Sequence, residues 1–337
     1  MFQFRVISKE EKDNYLNIRP GETHIGEMIT CASSEDEMED LLQSETVRFV
    51  LVGLPEDIGV RANGGIGGAQ TGWQPFLRAF LNIQETEFLS GRHFLLYGHL
   101  HNRLTPGSDA PADPETLRAA TAGIDELVFP HIQKIVAAGK IPVVIGGGHN
   151  NAYPLLKGAS LALKQPLNAI NTDAHADFRA IEGRHSGNGF SYAFTEGYLK
   201  NYFALGLHEA YNNREMMQAM AAADGIDSIY WEDIFMRRKM SWEKAIEKAL
   251  SHVSESFFGT ELDTDSIAHT LSSAETPVGI TEREAMRVLY ACGQSPQAVY
   301  MHLPEAVARR ADGQTNPLAG KLLSYLVQAF CKGVLER

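Results

Sequence analysis

Eight short apolar runs recur along this chain from Val47 onward, each separated from the next by an amphipathic or polar stretch. They are Phe49–Leu54 (FVLVGL), Phe94–Tyr97 (FLLY), Ile141–Ile145 (IPVVI), Leu167–Thr172 (LNAINT), Tyr202–Leu207 (YFALGL), Asp227–Trp231 (DSIYW), Phe257–Asp263 (FFGTELD) and Ala298–Leu303 (AVYMHL). Runs this short, with little polar alternation, suit strands buried on both faces of a sheet. The stretches between them carry helix signals. Asp113–Gly139 opens Asp-Pro-Glu, an N-cap followed by proline at the first helical position. Ser241–Val253 opens on a serine N-cap, Thr281–Cys292 opens on the capping box T-E-R-E, and Leu318–Lys332 is apolar on one face. Strands alternating with helices predict an α/β fold with a mostly parallel sheet covered on both faces. Chain order alone leaves a closed barrel and an open, doubly wound sheet both possible.

Residues 1–45 are different. They are polar and acidic, with SSEDEMEDLLQSE at Ser33–Glu45, and no clear period runs through them. The expectation is an N-terminal appendage packed on one main domain spanning residues 46–337.

The formal net charge of −12 removes one class of function. A nucleic-acid binder needs a basic footprint to displace phosphate counterions, and none is present. The three cysteines, Cys31, Cys292 and Cys331, are odd in number and lack C-x-x-C spacing, which argues against a disulfide framework or a thiolate metal site. No run approaches the ~18 apolar residues of a membrane span. The N-terminus MFQFRVISKEEKDNY has no apolar core followed by a small-residue cleavage site. A soluble cytoplasmic protein is expected.

Three clusters sit where a strand should end, the edge at which parallel α/β proteins build sites. The first is Gly146-Gly147-Gly148-His149-Asn150-Asn151. Glycines permit a sharp turn and close approach of a ligand, but a lone histidine there is more often structural. The second is Asp173-Ala174-His175-Ala176-Asp177. In extended chain, residues two apart share a face, so two carboxylates and an imidazole crowd together and lose hydration. A divalent cation relieves both costs, where a solvated acidic turn would need none. The third is Glu261-Leu262-Asp263-Thr264-Asp265, again with carboxylates two apart. His149, His175 and four aspartates offer six ligands of a kind suited to manganese, iron, nickel or zinc. That is enough for two ions sharing carboxylates, and a water between such ions ionises near neutrality.

In this order and spacing, IGGGHN, NTDAHAD and ELDTDS resemble the three metal-binding signatures of the arginase/ureohydrolase superfamily, and TPVGIT at Thr276–Thr281 matches the stretch after the third. The G-G-G-H-N-N-A form is most similar to the formimidoylglutamase branch, because arginases and agmatinases usually carry aspartate where Gly148 stands. The resemblance implies a three-layer α/β/α fold around an eight-stranded mostly parallel sheet, and two Mn²⁺ ions per chain. One ion would take His149, Asp173, Asp177 and Asp263, the other Asp173, His175, Asp263 and Asp265. It also implies hydrolysis of a C–N bond in a small amidine or guanidine, with Asp177 taking the nucleophile's proton and passing it to the leaving nitrogen. Glu305, in MHLPEA, stands where that family grips the cationic substrate, although a helix-start glutamate would look the same. His185, in GRHSGNGF, resembles a family loop histidine that could shuttle protons, and Asn188 beside it could bind a substrate carboxylate. Thr172, Thr264, His269 and Ser273 depart from the family pattern without removing a ligand. The family's habit implies a homo-oligomer, a trimer or hexamer.

Formimidoylglutamate, which would be hydrolysed to glutamate and formamide in histidine breakdown, carries two carboxylates. Arg61, Arg179 and Arg184 lie near the expected rim and suit such groups. Guanidine substrates releasing urea are the alternative, and a non-catalytic scaffold is a further one. The H-x-H of Gly98-His99-Leu100-His101 could belong to a TIM-barrel amidohydrolase with help from His208, but that reading leaves D-A-H-A-D unexplained. The glycine-rich Asn63–Gly72 fits neither phosphate-loop motif and reads as a loop beside the site.

Overall fold

A computed structural model describes residues 2–32, 35–102 and 113–337. Ten strands form one sheet: β1 (Phe2–Val6), β2 (Thr30–Cys31), β3 (Phe49–Gly53), β4 (Phe94–Asn102), β5 (Ile141–Ile145), β6 (Leu167–Thr172), β7 (Leu199–Leu207), β8 (Ile226–Tyr230), β9 (Phe258–Leu262) and β10 (Ala298–Leu303). Their order is β1-β4-β3-β5-β10-β9-β6-β7-β8, with β2 also paired to β4. The sheet is open. That settles the barrel question and removes the frame an amidohydrolase would need.

The eight strands from β3 to β10 are those the apolar runs mark, and the pairings among them are parallel. Alternate residues point to opposite faces. Phe49, Leu51, Val143 and Phe203 enter one core, while Val50, Val52, Val144 and Ala204 enter the other. The first core lies under helices Trp73–Phe80, Trp242–Val253, Glu282–Gln294 and Ala319–Leu335. The second lies under Pro114–Ala137, Ala152–Leu163 and Gly189–Thr195. The result is three layers, α/β/α. Each fully buried Val, Leu, Ile or Phe side chain contributes ~1.5–3 kcal/mol relative to an exposed one. The caps anticipated from sequence are in place: Asp113 accepts from Thr116 N at 3.0 Å, and Thr281 and Glu284 form a reciprocal capping box.

The N-terminal segment holds more regular structure than its sequence suggested. Strand β1 runs antiparallel along the end of β4, and β2 pairs parallel with its beginning, so the segment extends the sheet edge. Glu35–Leu42 is helical, with Met38 and Leu42 buried; Ser33 and Ser34 lie outside the described residues. No helix among the described residues is long and apolar enough to cross a membrane.

The chain passes from β5 to β6 across a gap later filled by β10 and β9. This is the switch point at which open α/β sheets place their sites. The four adjacent strands β5, β10, β9 and β6 end on one side of it.

Candidate metal centre

Each strand of that quartet delivers its residues by a different turn. Past β5, Gly146 and Gly147 adopt φ of 84° and 78°. A Cβ on Gly147 would lie 2.4 Å from Asn151 Nδ2 and 2.8 Å from the Leu54 carbonyl, so only glycine fits there. The loop that follows is pinned by Glu56, a buried carboxylate accepting from Gly148 N (3.0 Å), Asn151 Nδ2 (2.6 Å) and Asn150 Nδ2 (3.2 Å). This anchor was not singled out from the sequence, because nothing local distinguishes Glu56 from a surface glutamate. The turn presents His149, whose side chain is 1% exposed.

The two aspartate-rich units converge through pairing register. Thr172 of β6 lies opposite Leu262 of β9, so the residues immediately beyond, Asp173 and Asp263, are neighbours. The rest of each unit is not extended chain, as the spacing argument assumed. Asp173 Oδ1 accepts from His175 N at 2.7 Å, and Asp263 Oδ1 from Asp265 N at 2.8 Å. These side-chain turns fold each motif back on itself. Asp177 then takes φ of 45° and Glu305 takes φ of 58°, left-handed conformations uncommon outside glycine.

Two overlapping groups result. His149, Asp173, Asp177 and Asp263 gather ligand atoms within 4.8 Å of one another, and so do Asp173, His175 and Asp265. His149 Nδ1 lies 3.2 Å from Asp173, 2.9 Å from Asp177 and 3.0 Å from Asp263. Yet neither ring nitrogen of His149 has a hydrogen-bond partner, nor does Asp265 Oδ1. One nitrogen aimed at three carboxylates without bonding any of them is the arrangement of ligands around a common centre. As ligands, the two imidazoles would be neutral and the four carboxylates would carry −4, which two divalent cations would balance. The donor set therefore fits such ions. Asp263 falls in the first group alone, where the resemblance implied it in both.

The electrostatics describe the same crowding. Burial, with Asp265 and Asp173 alongside, pushes the Asp263 carboxyl well above its ordinary range. Burial and then Asp173 raise Asp177. Glu305 is pushed up to about 8, by burial first and then by Asp265. Its carboxylate accepts from His149 N (3.1 Å) and from Ser273 Oγ (2.9 Å), one of the positions that depart from the family pattern.

A cavity of about 280 Å³ opens over these groups, lined among others by Asn63, Arg179, Tyr211, Ser273 and Glu305. Tyr211 stacks on His175 (5.4 Å between centroids, 15° between planes). Among the lining residues Arg179 is the one Lys or Arg, held at the mouth by Asn63 Oδ1 (2.6 Å) and Glu182 (3.0 Å).

Other rim assignments need correction. Arg184 is 5% exposed and turned inward, donating to Asp125, to Asn188 Oδ1 (2.8 Å) and to the Asn150 carbonyl (2.7 Å). Asn188 is fully buried, its amide donating to the Gly183 and Ala180 carbonyls. His185 is likewise buried: Nδ1 accepts from Gly187 N at 3.2 Å and Nε2 faces Glu182 at 3.1 Å. Both ring nitrogens are occupied, so it has no free position from which to shuttle protons. Burial, aided by Arg179 and Arg118 and opposed by Glu182, depresses it to about 4 and keeps it neutral. Arg61 lines a separate cavity with Trp73, His99 and His101. His208 is stacked between Tyr211 and Trp231.

The arginase family model matches residues 47–328, most of the chain. This chain belongs to the arginase family. It is 27% identical over 301 residues to the formimidoylglutamase of Streptococcus pyogenes serotype M3, covering 86% of each. Its fold matches the Trypanosoma cruzi formiminoglutamase solved with two Mn²⁺ (TM-score 0.72, 20% identity, 94% of this chain and 99% of that one). It also matches the Bacillus subtilis formimidoylglutamase (TM-score 0.73, 14% identity, 98% and 99%). A Burkholderia thailandensis protein described as a hypothetical agmatinase matches with TM-score 0.64 at 16% identity, over 85% of each chain.

Proposed function

We propose that this arginase-family chain is a manganese-dependent hydrolase that converts formimidoylglutamate and water to glutamate and formamide. The observation that carries the reading is the paired ligand groups around His149 and His175, opening into a cavity whose one lining Lys or Arg among the described residues is Arg179. The formimidoylglutamase names of its relatives supply the substrate. His149, Asp173, Asp177 and Asp263 would hold one Mn²⁺, and Asp173, His175 and Asp265 the other. When bound, two divalent cations supply Lewis acidity and a water of lowered pKa.

The chain's own groups do the rest. Glu305, buried and facing the cavity, accepts the amidinium of the substrate. Arg179 meets a substrate carboxylate at the mouth, where a planar guanidinium can bind it bidentately. Asp177 takes the proton of the attacking water and delivers it to the nitrogen that departs as the amine of glutamate. His185, Arg184 and Asn188 form the wall behind the Ser186–Gly187 lining and shape the loop without touching substrate. Family habit supports a trimer or hexamer in the cytoplasm, which light scattering of the purified protein would check.

The deciding assay offers formimidoylglutamate, arginine, agmatine and guanidinobutyrate to the Mn²⁺-loaded protein. Formamide and glutamate from the first alone uphold the proposal. Urea from any of the others overturns the substrate. No turnover and no bound metal would leave a non-catalytic scaffold.

A further inference from the structure

Behind His149, on the side away from the carboxylates, lies a buried polar cluster that the metal centre leaves unused. Glu261 of β9 is fully buried. It accepts from Tyr300 Oη at 2.8 Å and faces His302 Nδ1 at 2.7 Å. His302 Nε2 faces the Gly146 carbonyl at 3.2 Å, within the loop that carries His149. The next group in line is His149 itself: its buried Nε2, which has no hydrogen-bond partner, faces Glu261 Oε2 at 3.5 Å.

This cluster is built by the sheet. Tyr300 pairs with Gly259 and His302 with Glu261 across β10 and β9, two steps along each strand, so all project to one face. Gly259 makes room for the phenol, since a Cβ there would lie 2.2–2.4 Å from Tyr300 ring atoms. A buried carboxylate is costly unless charge and hydrogen bonds surround it, and an apolar residue would fill the position more cheaply. Glu261 therefore needs a reason. A histidine that ligates through one nitrogen commonly gives the hydrogen on the other to a carboxylate. That partner sets the tautomer and ring orientation, and its loss costs ~10–100-fold in metal affinity.

We propose that Glu261, braced by Tyr300 and His302, is a positioning residue that fixes His149 as an Nδ1 ligand and tightens the ion on the His149 side. Among the described residues, no carboxylate stands behind His175 in the same way. His175 is part-exposed and packs its ring face on Tyr211. This inference rests on the binuclear reading above, and the test separates the two.

The full-length protein is stripped with chelator and titrated with Mn²⁺, following free Mn²⁺ by its EPR signal, for wild type, E261Q, Y300F, H149A and the double variant E261Q/H149A. Wild type is expected to bind two equivalents, one of which is lost in H149A. E261Q should weaken that same equivalent ~10–100-fold and leave the other within twofold. Y300F should weaken it less, and E261Q/H149A should bind like H149A alone. Binding by E261Q identical to wild type, or equal weakening of both equivalents, overturns the proposal. So does a third equivalent that E261Q abolishes, because His149, Glu261 and His302 would then be an ion site themselves. Should E261Q fail to fold when metal-free, Y300F carries the same test. No binding by wild type would instead overturn the binuclear reading.

Discussion

Replacing Arg184 by methionine separates a wall-building arginine from a substrate-gripping one. Arg184 and Asp125 are both nearly inaccessible, and their guanidinium–carboxylate bonds are 2.8 and 3.3 Å long. Burial pushes the Asp125 carboxyl up to about 7 even beside the guanidinium, so Arg184→Met keeps much of the volume and leaves Asp125 protonated, buried and short of its donors, a loss of ~1–3 kcal/mol. The Asn150 carbonyl and Asn188 Oδ1 lose their donor as well, and the guanidinium vanishes from between the Tyr153 and Tyr192 rings, at 4.7 and 4.9 Å. With an unfolding entropy of about 2.1 cal/mol/K per residue, a 337-residue chain shifts its Tm by roughly 1.4 °C per kcal/mol. The expected fall is therefore ~1–4 °C. Scanning calorimetry should be run on chelator-stripped protein, so that bound metal does not mask the loss. Adding Asp125→Leu should recover part of the loss by removing the unpartnered carboxyl. Arg179→Met, at the cavity mouth, should move Tm by less than ~1 °C while raising KM for an acidic substrate. An Arg184→Met protein with wild-type Tm and a raised KM would refute this account and return Arg184 to the substrate.

Three further expectations follow from the site. Asp177→Asn should retain folding and lower kcat by ~10²–10⁴-fold, measured on protein reloaded with Mn²⁺; kcat within tenfold of wild type would remove Asp177 as the proton carrier. Removal of metal should lower Tm, since ions that bind only the folded chain stabilise it by about 2.7 kcal/mol per site at one hundred times Kd; an unchanged Tm after chelation would contradict the centre. His185 is neutral in the folded state down to about 4, whereas in the unfolded chain it charges near its ordinary value. The unfolded state thus binds the extra proton between about pH 6.5 and 4, and stability falls as pH drops through that window. Urea midpoints of His185→Gln should decline less steeply there, and a slope identical to wild type would show that His185 is solvated.

Local sequence carries some of this architecture and not the rest. Strands buried on both faces advertise themselves as apolar runs, so the core eight were legible. Strands β1 and β2 were not, because an edge strand needs apolar residues on one face only, and β2 is two residues long. The aspartates and His175 could be gathered from spacing, although Asx-type turns rather than extended backbone bring them together. Arg184 and Asn188 sit within a few residues of the cavity lining, and sequence distance does not tell an inward side chain from an outward one. Glu56 went unmarked, and Glu261 was marked only as one of the clustered carboxylates of E-L-D-T-D, for a different reason. Their meaning lies in partners 41 or more positions away, which pairing register alone reveals.

The interposition of β10 and β9 between β5 and β6 also sets an order of assembly. At about 4.8 Å per spacing, β5 and β6 stand three spacings, roughly 14 Å, apart in the finished sheet. Both leave the ribosome long before residues 258–303 exist to join them. Until then the nascent chain carries two half-sheets whose facing edges are bare, the situation that invites pairing with other chains. The ligands Asp263 and Asp265 arrive with the strand that closes this seam, so an ion cannot nucleate the fold and is captured only once the seam is shut. A chain ending at Ser256 should accordingly aggregate on release, and Mn²⁺ should not rescue it; a monodisperse product by light scattering would mean that the halves are stable before they are joined.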